Sequence, residues 1–478
     1  MSILGWNQLK YSLLKHSVRG SELRFISKQL LKLAIPSMAE NLLQMLFGMV
    51  DTAFLGHLSW QAMSGAGLAN QLIFVFQVVV VAAAVGVNVI VSNATGVGNK
   101  HKASGSLWNG VHLCLLWSAA LMILAPFSSN FLKIFGNVDS VVFDYASTYL
   151  KTILFGMPSM ALMAVLGAAL RGSGDTKTPM FVTGIANSLN VFLDYAMIYG
   201  KFGFPRMEVF GAALATVISR FVGSFMLLLA IMKNPHLNED VRRAIKLDLA
   251  NFRDIVSVGL PAAGENFMFS SGLLIFASIL LASGPMAYAG HRIGISIESL
   301  SFMPGWGISV AVTTLAGQYN GRRRLDKVTA VARQGFIIAA LIQVSVGVFI
   351  FLFPELLINL FTNQAEILQL AKIPVRLVGL FQIFLALESS MNGVLRATGN
   401  TTFGMIVSTV SMWAVRLPLA YLFSVKLGLG LLGAWLGMMI DMSFRSVVKL
   451  LFYMSGAWEK MAMKVSSKVT HVGGSDLS

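Results

Sequence analysis

Carboxylate side chains inside long apolar stretches are the residues of this sequence whose types and spacing are suited to chemistry. Asp51 ends the run LLQMLFGMVD, and Asp194 follows Asn190 by four positions in NSLNVFLDY. Residues four apart lie on one side of a helix, about one turn apart, so Asn190 and Asp194 are predicted to face the same way. Because a charged carboxylate in apolar surroundings is costly without a partner, each aspartate is expected to hold a proton or a cation.

A hydroxyl group completes a candidate cation site. Thr216, in GAALATVIS, lies well inside its own apolar run, at a depth similar to that of the two aspartates. Carboxylate, amide and hydroxyl oxygens are hard ligands that suit Na⁺ or proton exchange. The predicted cation-binding residues are therefore Asp51, Asn190, Asp194 and Thr216. The alternative is that both aspartates are solvated acids near the ends of helices.

A proline and a glutamate occur together twice, in AIPSMAEN and GLPAAGEN. Pro36 and Pro261 are expected to bend their helices, because proline frees a backbone carbonyl. Glu40 shares a helical face with Gln44 and the first aspartate, so its charge is placed to bias the cation site. The equally open alternative is that Glu40 and Glu265 are structural acids of two bent helices.

A second group of charges lies midway along later apolar runs, where charged side chains normally face a cavity or pair with each other. Arg416 and Asp441 have similar depths, so a salt bridge between them is the simplest interpretation. The glutamates outnumber the cations counted in this group, which would leave an acid free to meet a cationic substrate. The group consists of Glu265, Glu298, Glu388, Arg416, Asp441 and Arg445, and all but the last are predicted to bind substrate.

Residues for cofactor or metal chemistry are few. Cys114 is the single cysteine and is expected to be a small buried apolar residue. His291 has no second histidine at metal-ligand spacing. No metal is expected beyond Na⁺ at the four cation-site residues, and the sequence predicts neither an enzyme nor a bound cofactor.

The elements that hold these residues are long apolar helices. Of 478 residues, 56% are hydrophobic and 12% are charged, whereas about 25% are charged in soluble proteins. Twelve runs are long enough to cross a bilayer as helices and lack the alternation of barrel strands. They are predicted at 30–56, 66–93, 103–127, 143–168, 178–200, 208–232, 254–283, 288–315, 328–353, 372–394, 402–425 and 430–455. The predicted class is an all-α polytopic membrane protein.

The formal net charge of +15 is concentrated in every second connection between these runs. Arg171 follows the fourth run, Arg322 to Arg324 follow the eighth, and Arg396 follows the tenth. By the positive-inside rule, both termini are predicted to be cytoplasmic, in a plasma (inner) membrane whose lipids surround the chain. This explanation of the charge argues against a nucleic-acid partner.

Two unrelated phrases repeat at one offset, which indicates an internal duplication. Pro36 and Pro261 are 225 positions apart (261 − 36 = 225), and LRGSGDT and LRATGNT share that offset. The predicted architecture is two parallel six-helix lobes related by a pseudo-two-fold axis along the membrane normal. Its parts are a basic segment at 1–27, an N-lobe at 28–232, a linker at 233–253, a C-lobe at 254–457 and a tail at 458–478. At this offset the counterparts of the two aspartates are the apolar residues Phe276 and Leu419. The cation site is therefore predicted in the first lobe alone.

These features together resemble the multidrug and toxic compound extrusion family, the MATE antiporters. The resemblance covers roughly residues 28–457 and is carried by IPSMAEN, MVDTAFLGH, LRGSGDTKTPM, NSLNVFLDY, GHRIGISIESLSFMPGWGISVAVTTLAGQYNG and LRATGNTT. It implies alternating access and export of cationic or amphiphilic compounds, driven by entry of Na⁺ or H⁺. The chain is more similar to the DinF-like branch, in which acids of the first and fifth helices form the coupling site. A NorM-like second-lobe ion site is not expected, because Glu265 lies close to Pro261 and Glu388 is displaced along its helix.

Two other classes stay open, an ion-gated channel and a lipid-linked sugar flippase of a related two-lobe fold. A channel would not need a buried acid pair on one lobe only. A flippase would need a cationic cavity for phosphates, whereas the mid-span acids here match or outnumber the bases. Small organic substrates are the expected partners of a monomeric protein, and the choice between Na⁺ and H⁺ is left open.

Overall fold

Helices account for almost all of the chain. The computed structural model describes residues 19–136, 139–238, 248–362 and 364–470, and within those ranges there is no strand. In the same ranges eleven helices are long and apolar enough to cross a membrane, and one bent pair makes a twelfth span. The predicted class, an all-α polytopic membrane protein with twelve spans, is confirmed.

The first six spans lie between residues 20 and 233. Their helices are Gly20–Leu58, Trp60–Phe76, Val78–Val97, Lys100–Leu124, Ser140–Ser173, Lys177–Tyr199 and Glu208–Lys233. The prediction of one helix at 66–93 is wrong, because a turn at Gln77 divides this run into two helices. The third span continues through a short helix, Ser128–Leu132, flanked by two 3-10 turns.

The last six spans lie between residues 249 and 454. Their helices are Leu249–Ala282, Pro285–Gly321, Leu325–Leu352, Ala365–Leu380, Gln382–Ala397, Thr401–Lys426 and Gly430–Met454. The tenth span is bent by 52° between Ala365–Leu380 and Gln382–Ala397. The eleventh span contains two π-helical segments, Ser411–Arg416 and Leu422–Lys426. A short helix, Pro354–Asn359, precedes the tenth span, and Trp458–Thr470 follows the twelfth.

The repeated phrases LRGSGDT and LRATGNT each end a helix in the same way. Gly174 and Gly399 have left-handed backbone conformations, with φ of 97° and 76°, which glycine adopts without strain. The amide of Gly174 donates to the carbonyl of Arg171, and the following amide donates to Leu170, at 3.0 and 2.9 Å. The same two bonds recur after Arg396. This Schellman motif fixes the position of an arginine in the last turn of the fourth and tenth spans.

The chain divides into two compact units. One holds Ala39–Ala263, and the other holds the residues up to Met38 together with those from Gly264 onward. The divisions fall inside the first and seventh helices, just after Pro36 and Pro261, and therefore later than the predicted lobe starts at 28 and 254. Those lobe bounds stay a prediction. Residues 1–18 of the predicted basic segment, 239–247 of the linker and 471–478 of the tail lie outside the described residues.

Glycine contacts explain why the start of the seventh helix packs in the unit Ala39–Ala263. A Cβ atom at Gly259 would lie 1.9 Å from the carbonyl oxygen of Ala82, and one at Gly86 would lie 2.4 Å from that of Ile255. Only glycine at both positions lets the two backbones approach so closely. In the other unit, Ile26 and Leu30 of the first helix belong to an apolar cluster that also contains Trp458.

Candidate functional site

The glutamate of each repeated proline phrase binds the arginine of the other repeated phrase. In the unit Ala39–Ala263, Arg171 Nη1 lies 2.9 Å from Glu40 Oε1, and the Thr183 hydroxyl donates to the same oxygen at 3.3 Å. The positions 225 residues later repeat this arrangement. Arg396 Nη2 lies 3.5 Å from Glu265 Oε2, and the Ser408 hydroxyl donates to Glu265 Oε1 at 2.6 Å.

This pairing changes the interpretation of two charges. Arg171 and Arg396 were expected among the basic residues of the connections, yet each holds a glutamate, and their side chains are only 20% and 17% exposed. A carboxylate that is buried beside an arginine and a hydroxyl is satisfied in its charged state. The repeated glutamates therefore have a structural role in joining two spans, whatever else they do.

A cavity of about 160 Å³ collects three of the four predicted cation-site residues. Asp51, Asn190 and Thr216 line it together with Gln44. Asn190 Nδ2 donates to Thr216 Oγ1 at 3.5 Å, so the fifth and sixth spans are joined at this point. One oxygen of Asp51, Oδ1, is buried and accepts no hydrogen bond from any described residue.

Asp194 is the fourth predicted residue, and it lies outside the lining of this cavity. Its side chain is fully buried, and neither carboxyl oxygen accepts a hydrogen bond from any residue of the described ranges. The carboxyl groups of Asp194 and Asp51 are close enough to repel each other electrostatically. Two carboxyl groups this close disfavour each other's charged form.

A second cavity, of about 340 Å³, adjoins the first. It is lined by Glu40, Arg171 and Thr183, and it shares Gln44 and Arg220 with the cavity that contains Asp51. Gln77, at the turn that divides the second run, and Met160 also line both cavities. The paired glutamate and Asp51 therefore line adjoining cavities within this unit.

Two residues of the first cavity were missed in the sequence. Arg220 lies in the middle of the sixth span, where a lone arginine in an apolar run is itself a signal of function. Tyr149, which is 3% exposed, also lines the cavity with Asp51. Nothing in the sequence around Tyr149 distinguishes it from other buried aromatic residues. Arg220 could have been identified, because the repeat offset of 225 pairs it with Arg445.

The expected salt bridge between Arg416 and Asp441 is present. Arg416 Nη2 lies 2.7 Å and Nε 2.9 Å from Asp441 Oδ2, and the Ser411 hydroxyl donates to Oδ1 of the same carboxylate. A π-helix bonds residues five apart, so the π segment Ser411–Arg416 turns both of its ends toward Asp441. The guanidinium of Arg416 also lies 5.8 Å from the ring centre of Phe276, which is the repeat counterpart of Asp51.

A fully buried lysine, also missed in the sequence, organises the remaining charges of the second unit. Lys449 Nζ donates to Glu388 Oε1 at 2.8 Å, to Asn392 Oδ1 at 2.8 Å and to Ser408 Oγ at 3.0 Å. Arg445 lies 3.7 Å from Glu388 and 3.6 Å from Asp441. The signal was available, since Asp441, Arg445 and Lys449 are spaced by four on one face of the twelfth span.

This network corrects the expected surplus of acid. Within the described residues its acids are Glu265, Glu298, Glu388 and Asp441, and its bases are Arg396, Arg416, Arg445 and Lys449. The sequence count did not include Lys449 and Arg396. With these two bases included, four acids face four bases. Glu298 alone among these acids has no hydrogen bond, or ion pair within 4.0 Å, to a described residue.

A cavity of about 100 Å³ opens onto part of this network. Glu265, Glu388 and Arg445 line it beside the aromatic side chains of Phe302 and Trp306. Glu298, Arg416 and Asp441, which were also predicted to bind substrate, lie outside its lining. The structure thus brings two of the five predicted substrate residues to one cavity.

The fold and its repeated halves define a polytopic membrane transporter. The MatE family model matches residues 36–196 and again 261–422, so its two matches begin at Pro36 and Pro261 and confirm the duplication. The chain belongs to this family. Its members are transporters, not enzymes, and need no cofactor.

The relatives align with almost the whole chain. The "Probable multidrug resistance protein NorM" of Thermotoga maritima is 51% identical over 97% of this chain and 100% of its own length. The "Uncharacterized transporter YisQ" of Bacillus subtilis is 27% identical over 91% of this chain and 95% of its own length. A solved structure described as the outward-facing conformation of a multidrug resistance MATE family transporter has a TM-score of 0.83 at 22% identity, covering 95% of this chain and 99% of that one. The MATE resemblance and fold class are confirmed, and placement in the DinF-like branch stays a prediction.

Proposed function

We propose that this transporter exports cationic or amphiphilic compounds in exchange for Na⁺ or H⁺, which bind at Asp51, Asn190, Asp194 and Thr216. The observation that carries the proposal is Asp194, a fully buried carboxylate whose two oxygens have no hydrogen-bond donor among the described residues. A monomer with both termini in the cytoplasm is part of the proposal.

The energetics of the acid pair explain how an ion gradient would drive export. An unneutralised carboxylate in the membrane interior costs several kcal/mol, so the conformation that buries Asp194 is favoured when a cation or proton neutralises the pair. Ion entry from one side and release to the other then bias the alternating-access cycle. The relatives named for multidrug resistance support drugs as the exported cargo.

The substrate would meet the second unit. The cavity lined by Glu265 and Glu388 also presents Phe269, Phe302 and Trp306, and aromatic faces attract organic cations. Glu298 is an acid without a direct partner among the described residues, and it lies within electrostatic reach of Arg416 and Arg445. These acids are proposed to recognise a cationic substrate.

The proposal is tested by export from vesicles that contain only the purified protein. An inward Na⁺ gradient and an inward proton gradient are imposed separately, and efflux of a fluorescent organic cation is followed. At least one gradient is expected to accelerate efflux above that of protein-free vesicles. Efflux that is equal with and without both gradients would contradict ion coupling.

Replacing the two repeated glutamates is expected to separate ion dependence from drug binding. Glu40 lies about 16 Å from Asp51 along the helix, and a charge at that distance contributes about 1 kcal/mol at an effective dielectric constant near 20. Glu40→Gln should therefore raise the Na⁺ or proton concentration for half-maximal export by about two- to fivefold. Glu265→Gln, the matched change in the other unit, should weaken drug binding and leave that ion concentration unchanged.

The measurement is export rate against Na⁺ and pH for both variants, together with drug affinity and thermal stability. Because each glutamate holds an arginine and a hydroxyl, both variants are expected to lose some stability. If the two variants show identical ion and drug dependence, both glutamates have only a structural role.

A further inference from the structure

Arg220 is a membrane-embedded cation that has no carboxylate within 4.0 Å among the described residues. It lines both cavities of the unit Ala39–Ala263. In the part of the chain that the structure describes, its hydrogen bonding is limited to Nη1 and the sulfur of Met163, at 3.8 Å. A guanidinium has five N–H donors, and a thioether is a weak acceptor. Most of the donors of Arg220 are therefore available to whatever occupies the cavities.

The duplication shows what this arginine lacks. Its counterpart 225 positions later is Arg445, which forms ion pairs with Glu388 and Asp441. The positions that correspond to those two acids in the first half are Met163 and Thr216. The first half has thus kept the arginine and has neutral residues in place of both of its partners.

The first half has acids at two other positions. Asp51 and Asp194 correspond to Phe276 and Leu419 in the second half. Asp51 interacts electrostatically with Arg220, although no ion pair within 4.0 Å joins them. Relative to its counterpart, Arg220 has therefore exchanged two contacting carboxylates for Asp51, which lines the same cavity, and Asp194, which lies outside the lining but within electrostatic reach of Asp51.

The groups around this cavity determine its charge. Neutral polar side chains face it from five spans, namely Gln44, Asn70, Gln77, Tyr149, Asn187, Asn190 and Thr216. The nearby Glu40 is already paired with Arg171. Two carboxylates, Asp51 and Asp194, then stand against one guanidinium, which leaves a single net negative charge.

We infer that Arg220 is a tethered counter-cation of the ion site and limits its capacity to one monovalent cation per cycle. One Na⁺ or H⁺ brings the site to neutrality, and a second would leave an unbalanced positive charge in the membrane interior. This inference rests on the proposed function of Asp51 and Asp194, and it adds the stoichiometry of coupling.

The inference is tested by counting cations on purified protein. Bound radioactive Na⁺ at alkaline pH, and protons taken up on acidification without Na⁺, are measured for wild type, Arg220→Gln, Arg220→Met and Arg220→Lys. The two neutral variants should bind two cations where wild type binds one, with affinity for the first tighter by about tenfold or more because a like charge has been removed. Arg220→Lys keeps the charge and should bind one.

The outcomes separate this inference from the proposed function. Asp194→Asn is measured in parallel, and it should abolish cation uptake in the wild-type background. If it does so and both neutral Arg220 variants still bind one cation, the counter-cation role is wrong and the ion site stands. If Asp194→Asn leaves uptake unchanged, both the site and the role of Arg220 are overturned. Neutral variants that bind two cations, with one retained in Arg220→Lys, support the inference.

Discussion

Asp194→Asn is expected to reduce gradient-driven export to the rate of protein-free vesicles while the protein folds and inserts normally. Asparagine matches aspartate in size but cannot carry the negative charge that is proposed to attract the coupling ion. Since neither oxygen of Asp194 accepts a hydrogen bond from a described residue, the change breaks no such bond. Thermal stability should therefore stay equal to that of wild type or rise, which a structural acid would not allow.

The matched control is Asp144→Asn, the same change at an exposed aspartate of the fourth span. It should export at the wild-type rate. Asp51→Asn should reproduce the loss seen at position 194, because the proposed site uses both carboxyl groups, which interact electrostatically, to bind one ion. Normal export by Asp194→Asn under both Na⁺ and proton gradients would remove this residue from the site.

Lys449→Met is expected to give the largest loss of stability of any single change in the second unit. The ammonium group is fully buried and contacts Glu388, Asn392 and Ser408 at 2.8 to 3.0 Å. Removing one partner of a buried ion pair leaves an uncompensated charge and costs about 3–5 kcal/mol. Thermal unfolding of the purified protein, followed by loss of the monodisperse peak on size exclusion, measures the effect.

Two further variants establish the cause. Lys460→Met makes the same change at an exposed lysine of Trp458–Thr470 and should leave the unfolding temperature unchanged. Glu388→Gln combined with Lys449→Met removes both charges and should recover most of the loss, since replacing a whole buried pair is far less costly than breaking it. A double variant as unstable as Lys449→Met alone would show that packing, not charge, is responsible.

Sequence patterns predicted the spans and the duplication because both are properties of the chain taken in order. Apolar runs of sufficient length specify membrane helices, and a fixed offset of 225 identified the repeat that the two family matches confirm. The same offset singled out the aspartates of the first half, and the structure brings Asp51, Asn190 and Thr216 to one cavity.

Partners across helices were harder to predict, because sequence gives the depth of a residue along its span but not the neighbour that faces it. Arg171 and Arg396 lie at the ends of spans, where basic residues are also expected for topological reasons. Their pairing with Glu40 and Glu265 depends on packing between the first and fourth spans, and between the seventh and tenth. The approach of Ser411 and Arg416 to one carboxylate depends on a π-helical segment, which a period of 3.6 residues does not describe.

The apolar cluster that joins Ile26 and Leu30 to Trp458 and Ala462 has a consequence for the order of events on the ribosome. Domains generally fold as units, beginning with the part that is synthesised first. The unit Ala39–Ala263 is fully synthesised while more than two hundred residues have still to be added. Ile26 and Leu30 emerge before any of it, yet the residues outside the first helix that they cluster with, from Ile308 to Ala462, are all made after it. The start of the first membrane helix therefore stays unpacked until the second unit is being synthesised.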